Sequence, residues 1–135
     1  MALSLAEKTQ LCALAADSKK AADIVVLDVQ QLSSVADYLL ICSATSDRQV
    51  RAIADAIADE LAQHGEKPLA TEGYQQGKWV LMDCADLVVH VFDDDTRRFY
   101  DLERLWYRAP RVEVPGVAFA MPRTTASEAL LVEEG

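Results

Sequence analysis

A helix with clear start and stop signals stands between strand-like segments, and this arrangement limits the folds that the chain can adopt. Ser46 and Gln49 form a capping box at its beginning, and Gly65 occupies the position that follows a helix end. The apolar residues at helical spacing between them are Val50, Ile53, Ala54, Ile57 and Leu61. The pattern predicts a helix over 47–64. Strands on both sides of it predict a right-handed crossover within a sheet.

Other local signals complete the predicted secondary structure. Ser4 and Glu7 form a capping box that predicts a first helix over 4–20, and Asp95 is the predicted N-cap of a last helix over 96–107. Short β-branched or apolar runs predict five strands, over residues 23–29, 37–44, 68–72, 78–84 and 86–93. The order is therefore α-β-β-α-β-β-β-α. It predicts an α/β fold in which helices flank a mixed sheet of about five strands.

The end of the chain has a different character. With 135 residues the chain is expected to form one domain. Beyond Trp106, Pro110, Pro115 and Pro122 interrupt any helix, and no period of 2 or 3.6 persists. We therefore predict a domain over 1–107 and a C-terminal tail over 108–135 that is irregular or partly disordered.

The charge balance restricts the kinds of partner. The chain has 13 Lys and Arg against 22 Asp and Glu, a formal net charge of −9. Binding to bare nucleic acid or to an anionic membrane relies on clustered Lys and Arg, so neither partner is expected. A basic protein suits this charge better.

The sequence favours the cytoplasm. No apolar run approaches the roughly 20 residues of a membrane span, and no basic region precedes an apolar stretch at the start. Cys12, Cys42 and Cys84 are odd in number and far apart. They therefore predict small apolar core residues rather than a disulfide framework or a zinc site.

Two arrangements could support catalysis. Asp93, Asp94 and Asp95 follow a strand, and clustered carboxylates can hold Mg²⁺ for phosphoryl transfer, as in a metal-dependent nucleotidyltransferase. The chain has no glycine-rich phosphate loop, so the favoured interpretation is a helix start with Asp95 as its cap. Cys84 and His90 could approach across a hairpin, but a nucleophilic pair is the less favoured interpretation.

Aromatic residues near residue 100 point to protein binding. On a continuous helix over 96–107, the apolar and aromatic residues cover a wider arc than a single docking face needs. Tyr, Trp and Arg dominate the binding energy of many interfaces. We therefore expect a partner at this helix, with cover by the tail as the alternative. Trp79 opens a strand and is either a core residue or a partner anchor.

These residues carry a resemblance to a known family. The chain resembles the ribosomal silencing factor family, also called Iojap-like. The similarity spans residues 5–106 and is densest in WVLMDCADLVVHVF (79–92) and RRFYDLERLW (97–106). The combination W-x-x-x-D, V-H-V and R-x-x-Y-x-L-E-x-L-W is specific. One departure is Ala85, which stands where the family often has glycine in the hairpin.

The resemblance implies a function. Members of this family are not enzymes and use no cofactor or metal. They bind the large ribosomal subunit through its ribosomal protein fourteen and hinder joining of the small subunit, and some act in large-subunit assembly. The implied fold is like that of nucleotidyltransferases without their catalytic set. A homodimer that uses the same aromatic surface is a further alternative.

The residues that match the family motifs are expected to include the partner-binding residues, but the motifs do not separate contact residues from core residues. Leu102 and Leu105 are expected to serve the core instead. The implied partner-binding residues are Glu72, Trp79, Asp83, His90, Arg97, Tyr100, Glu103 and Trp106.

Overall fold

The computed structural model describes residues 2–118, which form a six-stranded mixed sheet with packed helices. The helices are α1 (Leu5–Ser18), α2 (Asp47–Gln63), α3 (Asp94–Tyr100) and α4 (Leu102–Leu105). The strands are β1 (Ala22–Asp28), β2 (Tyr38–Ala44), β3 (Ala70–Glu72), β4 (Trp79–Cys84), β5 (Leu87–Asp93) and β6 (Arg111–Val112). Their order in the sheet is β3-β4-β5-β2-β1-β6. The predicted α/β class and mixed sheet are confirmed.

The capping residues act at three helix ends. The Ser4 hydroxyl accepts from the Glu7 amide at 3.1 Å, and the Glu7 carboxylate accepts from the Ser4 amide at 2.9 Å. At α2 only half of the expected box forms. Ser46 Oγ accepts from the Gln49 amide, but the Gln49 side chain accepts from the residue before Ser46. Gly65 closes α2 at φ +74°, the left-handed conformation that glycine adopts freely.

The sheet is covered unevenly on its two sides. β2 and β5 are parallel neighbours, as the crossover through α2 requires, and α1 and α2 pack over one face of the sheet. On the other face, Leu102, Trp106 and Ala109 cover a smaller apolar cluster that includes Leu27 and Phe92. The central strands are thus buried on both sides. In β4, however, buried residues alternate with half-buried ones, so one side of this strand lacks cover.

The last predicted helix is wrong in two respects. Its N-cap is Asp93, whose carboxylate accepts from the Thr96 amide at 2.7 Å, so the helix starts earlier than an Asp95 cap allows. Asp101 adopts φ +46°, which ends α3 and separates it from α4. Side-chain directions assigned on one continuous helix over 96–107 are therefore wrong beyond Asp101. Leu102 packs on the core as expected, but Leu105 is 71% exposed.

The sheet extends into the segment that was expected to be an irregular tail. β6 pairs with β1 in antiparallel register, with Val112 opposite Val26. Val114 and Val117 pack against the core beside α1. Apolar burial and strand pairing thus hold this segment although it lacks a regular sequence period. The remainder of the predicted tail, 119–135, lies outside the described residues. No helix within residues 2–118 is long and apolar enough to cross a membrane.

The turn between β4 and β5 is strained. It consists of Ala85 and Asp86, and Ala85 adopts φ +71°. A residue with a Cβ in this region loses roughly 1–2 kcal/mol. The Asp83 carboxylate supports the turn by accepting from the Ala85 amide at 3.0 Å. The alanine therefore occupies a conformation that favours glycine.

Replacing Ala85 with glycine should stabilise the protein. We expect Ala85→Gly to raise the free energy of unfolding by about 1 kcal/mol, because glycine removes the Cβ strain. Urea denaturation measures the change. Ala70→Gly is the control: Ala70 is exposed in β3 without a positive φ, and its replacement should lower stability slightly. Equal losses in both variants would contradict strain at Ala85.

Candidate partner-binding surface

Three strands at one end of the sheet leave a face without helical cover. Because β4 alternates, Trp79, Leu81 and Asp83 lie on the side of the sheet away from α1 and α2. Leu81 lies opposite Glu72 of β3 and opposite His90 of β5. We call this surface the open face; its residues are Glu72, Trp79, Leu81, Asp83, Val88 and His90. Four of the predicted partner-binding residues are thus brought together from three strands.

Trp79 and His90 form a hydrogen-bonded pair on the open face. The indole Nε1 of Trp79 donates to His90 Nδ1 at 3.0 Å. The indole also stacks on the buried Phe92 ring, with the ring centroids 4.9 Å apart. His90 is only 6% exposed, and burial lowers its pKa to about 4. The imidazole is therefore neutral near pH 7, and Trp79 is held at a fixed position.

An aromatic rim borders the open face. We define it by four exposed side chains, Phe99, Tyr100, Leu105 and Tyr107. The Tyr100 ring lies 4.9 Å from the Trp79 ring and 5.0 Å from the Phe99 ring, measured between centroids. Phe99 is 81% exposed and Tyr100 is 55% exposed. Aromatic residues this exposed and this close together are typical of a protein-binding surface.

Arg97 and Glu103 belong to the interior, which corrects the expectation that they contact a partner. Each residue is only 1% exposed. The Arg97 guanidinium donates to both carboxylate oxygens of Glu103, at 2.9 and 3.1 Å. It also donates to Ser43 Oγ at 3.1 Å and to the Asp23 carbonyl at 3.0 Å. A bidentate pair with these extra bonds holds α3 and α4 against β1 and β2.

Trp106 lies at the boundary between the interior and the surface. Its side chain is half-buried and packs on the same apolar cluster as Leu102 and Ala109. It supports the segment that carries Leu105 and Tyr107. Of the predicted residues on the last two helices, only Tyr100 is well exposed.

The acidic run has local structural roles. Burial alone would raise the pKa of Asp93, but hydrogen bonds from Thr96 and Lys78 outweigh it and lower the pKa. Asp95 pairs with Arg98. Within residues 2–118, no three His, Cys, Asp or Glu side chains are grouped to hold a metal ion. The geometry thus gives no added support to a metal-dependent nucleotidyltransferase.

The cysteines lie in the core. All three are buried and free, and burial raises the pKa of Cys12 and Cys42 to about 12 and that of Cys84 to about 11. Cys84 faces the core beneath α1 and α2, whereas His90 faces the opposite side of the sheet. The two residues therefore do not form a nucleophilic pair. The interpretation of the cysteines as small core residues is confirmed.

Known proteins with this fold and these motifs identify the family. A family model described as "Ribosomal silencing factor during starvation" matches residues 2–131. The chain belongs to this family. It is 44% identical to the ribosomal silencing factor of Halalkalibacterium halodurans over 115 residues, covering 85% of this chain and 98% of the relative. It is 46% identical to that of Bacillus subtilis over 105 residues, covering 78% of this chain and 89% of the relative.

A solved structure supports the same assignment. The crystal structure of a protein from Chromobacterium violaceum superposes with a TM-score of 0.76 at 30% sequence identity. The match covers 95% of this chain and 99% of that protein. The fold of this silencing factor is therefore the fold of its family.

Sequence reasoning missed several residues of the surface. Leu81 and Val88 belong to the open face, and Phe99 and Leu105 belong to the aromatic rim. The alternation of WVLMDC carries a signal for Leu81, because period two places it between Trp79 and Asp83. No local signal marks Leu105, since its exposure follows from the break at Asp101.

Removing one partner of the buried pair should destabilise this silencing factor strongly. We expect Arg97→Met to lower the free energy of unfolding by about 3–5 kcal/mol, because it leaves the Glu103 carboxylate buried without its cation. Urea denaturation measures the loss. The matched control is Arg98→Met, which breaks an exposed pair with Asp95 and should cost less than about 1 kcal/mol. Similar losses in both variants would contradict the role of Arg97.

His90 should make stability depend on pH. Its pKa lies near 4 in the folded chain and near 6.5 in the unfolded chain, so the unfolded chain binds more protons between these values. The contribution of neutral His90 is complete above about pH 6.5 and is lost as the pH falls toward 4, by at most about 3 kcal/mol.

Urea denaturation from pH 7 down to 4 measures this loss. The stability difference between the native chain and His90→Asn should shrink as the pH falls. The matched control is His64→Asn, because His64 is exposed and lies outside the open face. If His90→Asn shows the same dependence of stability on pH as the native chain, the lowered pKa of His90 is contradicted.

Proposed function

We propose that this silencing factor binds the large ribosomal subunit through ribosomal protein fourteen and hinders joining of the small subunit. The observation that carries the proposal is the open face and the aromatic rim beside it. Five of the eight predicted partner-binding residues, Glu72, Trp79, Asp83, His90 and Tyr100, meet on this surface. We further propose that the protein acts in the cytoplasm and contributes to assembly of the large subunit.

The composition of this surface suits a basic protein. The large rings of Tyr100 and Phe99 can become buried in an interface with a small loss of side-chain conformational entropy. The buried Phe92 ring stacks on Trp79 and supports it. The carboxylates of Glu72 and Asp83 lie on the same face and attract cations. A protein with a net charge of −9 is repelled by ribosomal RNA, so a basic ribosomal protein is the more favourable binding partner.

The proposed mechanism is steric. A folded domain anchored where the subunits meet occupies space that the small subunit needs, so joining becomes less favourable without any covalent step. The buried Arg97–Glu103 pair keeps the aromatic rim in place during binding. Silencing then requires only that the protein remain bound while the subunits encounter each other.

Single substitutions on the rim test this proposal. Tyr100→Ala and Phe99→Ala should each weaken binding to the large subunit by about 2 kcal/mol, or roughly 30-fold, if they are interface anchors. Leu14→Ala is the control, because Leu14 is partly exposed on α1, on the opposite face of the sheet. Co-sedimentation with purified large subunits over a range of protein concentrations measures the affinities. Native affinity in both folded rim variants would exclude the rim from the interface.

A second assay tests the mechanism itself. The native chain should pellet with large subunits and should reduce the joined ribosomes formed when small subunits are added. Tyr100→Ala should restore joining, and Leu14→Ala should not. Light scattering over the same concentrations shows whether a homodimer hides the rim. Pelleting with neither subunit would overturn the proposal.

A further inference from the structure

The Trp79–His90 hydrogen bond determines which nitrogen of the histidine carries a proton. An indole N–H can only donate a hydrogen bond. Since Trp79 Nε1 lies 3.0 Å from His90 Nδ1, the imidazole must accept at Nδ1. A neutral imidazole that accepts at Nδ1 carries its proton on Nε2.

The second nitrogen of His90 is available on the open face. Nε2 makes no hydrogen bond to any of residues 2–118. It is not fully enclosed, so it keeps some contact with solvent. The ring keeps 6% exposure. Its cross-strand neighbours are Leu81 on β4 and Ile41 on β2. The Nε2–H group is therefore a lone donor in apolar surroundings.

We propose that His90 is a specificity residue that donates its Nε2–H to a carbonyl oxygen of the bound protein. This inference rests on the proposed function, because it assigns a contact within the same surface. A neutral carbonyl, from the backbone or an amide side chain, fits better than a carboxylate. The carboxylates of Glu72 and Asp83 on the open face would repel a second negative charge.

The physical setting makes this donor selective. A partner that covers the open face removes water from Leu81 and His90 together. The N–H then either meets an acceptor or remains buried without one, which is costly. A partner with an apolar group at this point would therefore bind more weakly than one with a carbonyl. Trp79 has a positioning role, because it excludes the tautomer that lacks the Nε2 proton.

Long-range proton–nitrogen NMR of the imidazole rings tests the tautomer without any partner. At about pH 8 histidines are largely neutral, so the spectrum reports which nitrogen is protonated. His90 should show the Nε2–H tautomer. His64 provides a contrast within the chain, because its Nδ1 lies 3.1 Å from the Glu60 carbonyl and should carry the proton. Trp79→Phe should let His90 populate both tautomers. An Nδ1–H tautomer in the native chain would overturn the proposal.

Two substitutions separate the roles of the two nitrogens. In His90→Asn the amide oxygen can still accept from Trp79, but the outward donor is lost. In His90→Gln the amide N–H reaches toward the position of Nε2. We expect His90→Asn to bind large subunits roughly 10-fold more weakly, with an unchanged Trp79 indole resonance, and His90→Gln to recover part of the loss.

The outcomes distinguish this contact from the proposed function. Native affinity of folded His90→Asn overturns the donor role, while Tyr100→Ala in the same assay still reports whether the surface binds. Equal losses in both His90 variants, with a shifted Trp79 resonance, also overturn it, since His90 would then only support Trp79. If the native chain fails to pellet, the proposed function and the contact fail together, whereas the NMR spectrum still decides the tautomer.

Discussion

The buried pair of Arg97 and Glu103 is the interaction on which the shape of the candidate surface depends. One guanidinium joins four elements, because it bonds to Glu103 of α4 and to Ser43 and Asp23 of two strands while belonging to α3 itself. The pair holds the α3–α4 segment against β1 and β2, and it leaves Tyr100 of α3 beside Trp79 of β4. Such a pair is costly to bury unless further hydrogen bonds supplement the ion pair. Here the Asp23 carbonyl and the Ser43 hydroxyl accept such bonds from the guanidinium.

The uneven cover of the sheet follows from this placement. α1 and α2 bury one face of the sheet except at the edge strand β3, but α3 and α4 are too short to cover the other face. The part left uncovered contains the Trp79–His90 pair and is bordered by the aromatic rim. The Arg97–Glu103 pair thus contributes to which part of this face is buried and which part is exposed.

Local sequence signals predicted the elements with explicit physical causes. The capping box at Ser4, the glycine at Gly65 and the β-branched or apolar runs predicted α1, α2 and the strands β1 to β5 within a few residues, but not β6. The prediction erred where several signals competed. Three consecutive aspartates can each cap a helix, and the structure uses Asp93 because its side chain reaches the Thr96 amide. The left-handed Asp101 could not be foreseen, since aspartate adopts this conformation only when contacts elsewhere favour it.

The candidate site was likewise predicted only in part. The motif residues could be named from the sequence, but motif membership does not separate contact from support. Arg97 and Glu103 were partner-binding candidates because they match the family motif, yet they are buried, and their mutual pairing makes this burial tolerable. Leu105 looked like a core residue, yet the break at Asp101 turns it outward.

The sequence by itself determined the α/β class, the order of the elements up to α3, the family and the positions of its motif residues. These depend on local periodicity, capping and motif spacing, which act over a few residues. Only the tertiary structure decided which of those residues are exposed and which are buried. That outcome depends on strand order and on the long-range contacts of Arg97, which bring together groups that are 54 to 75 positions apart in the chain.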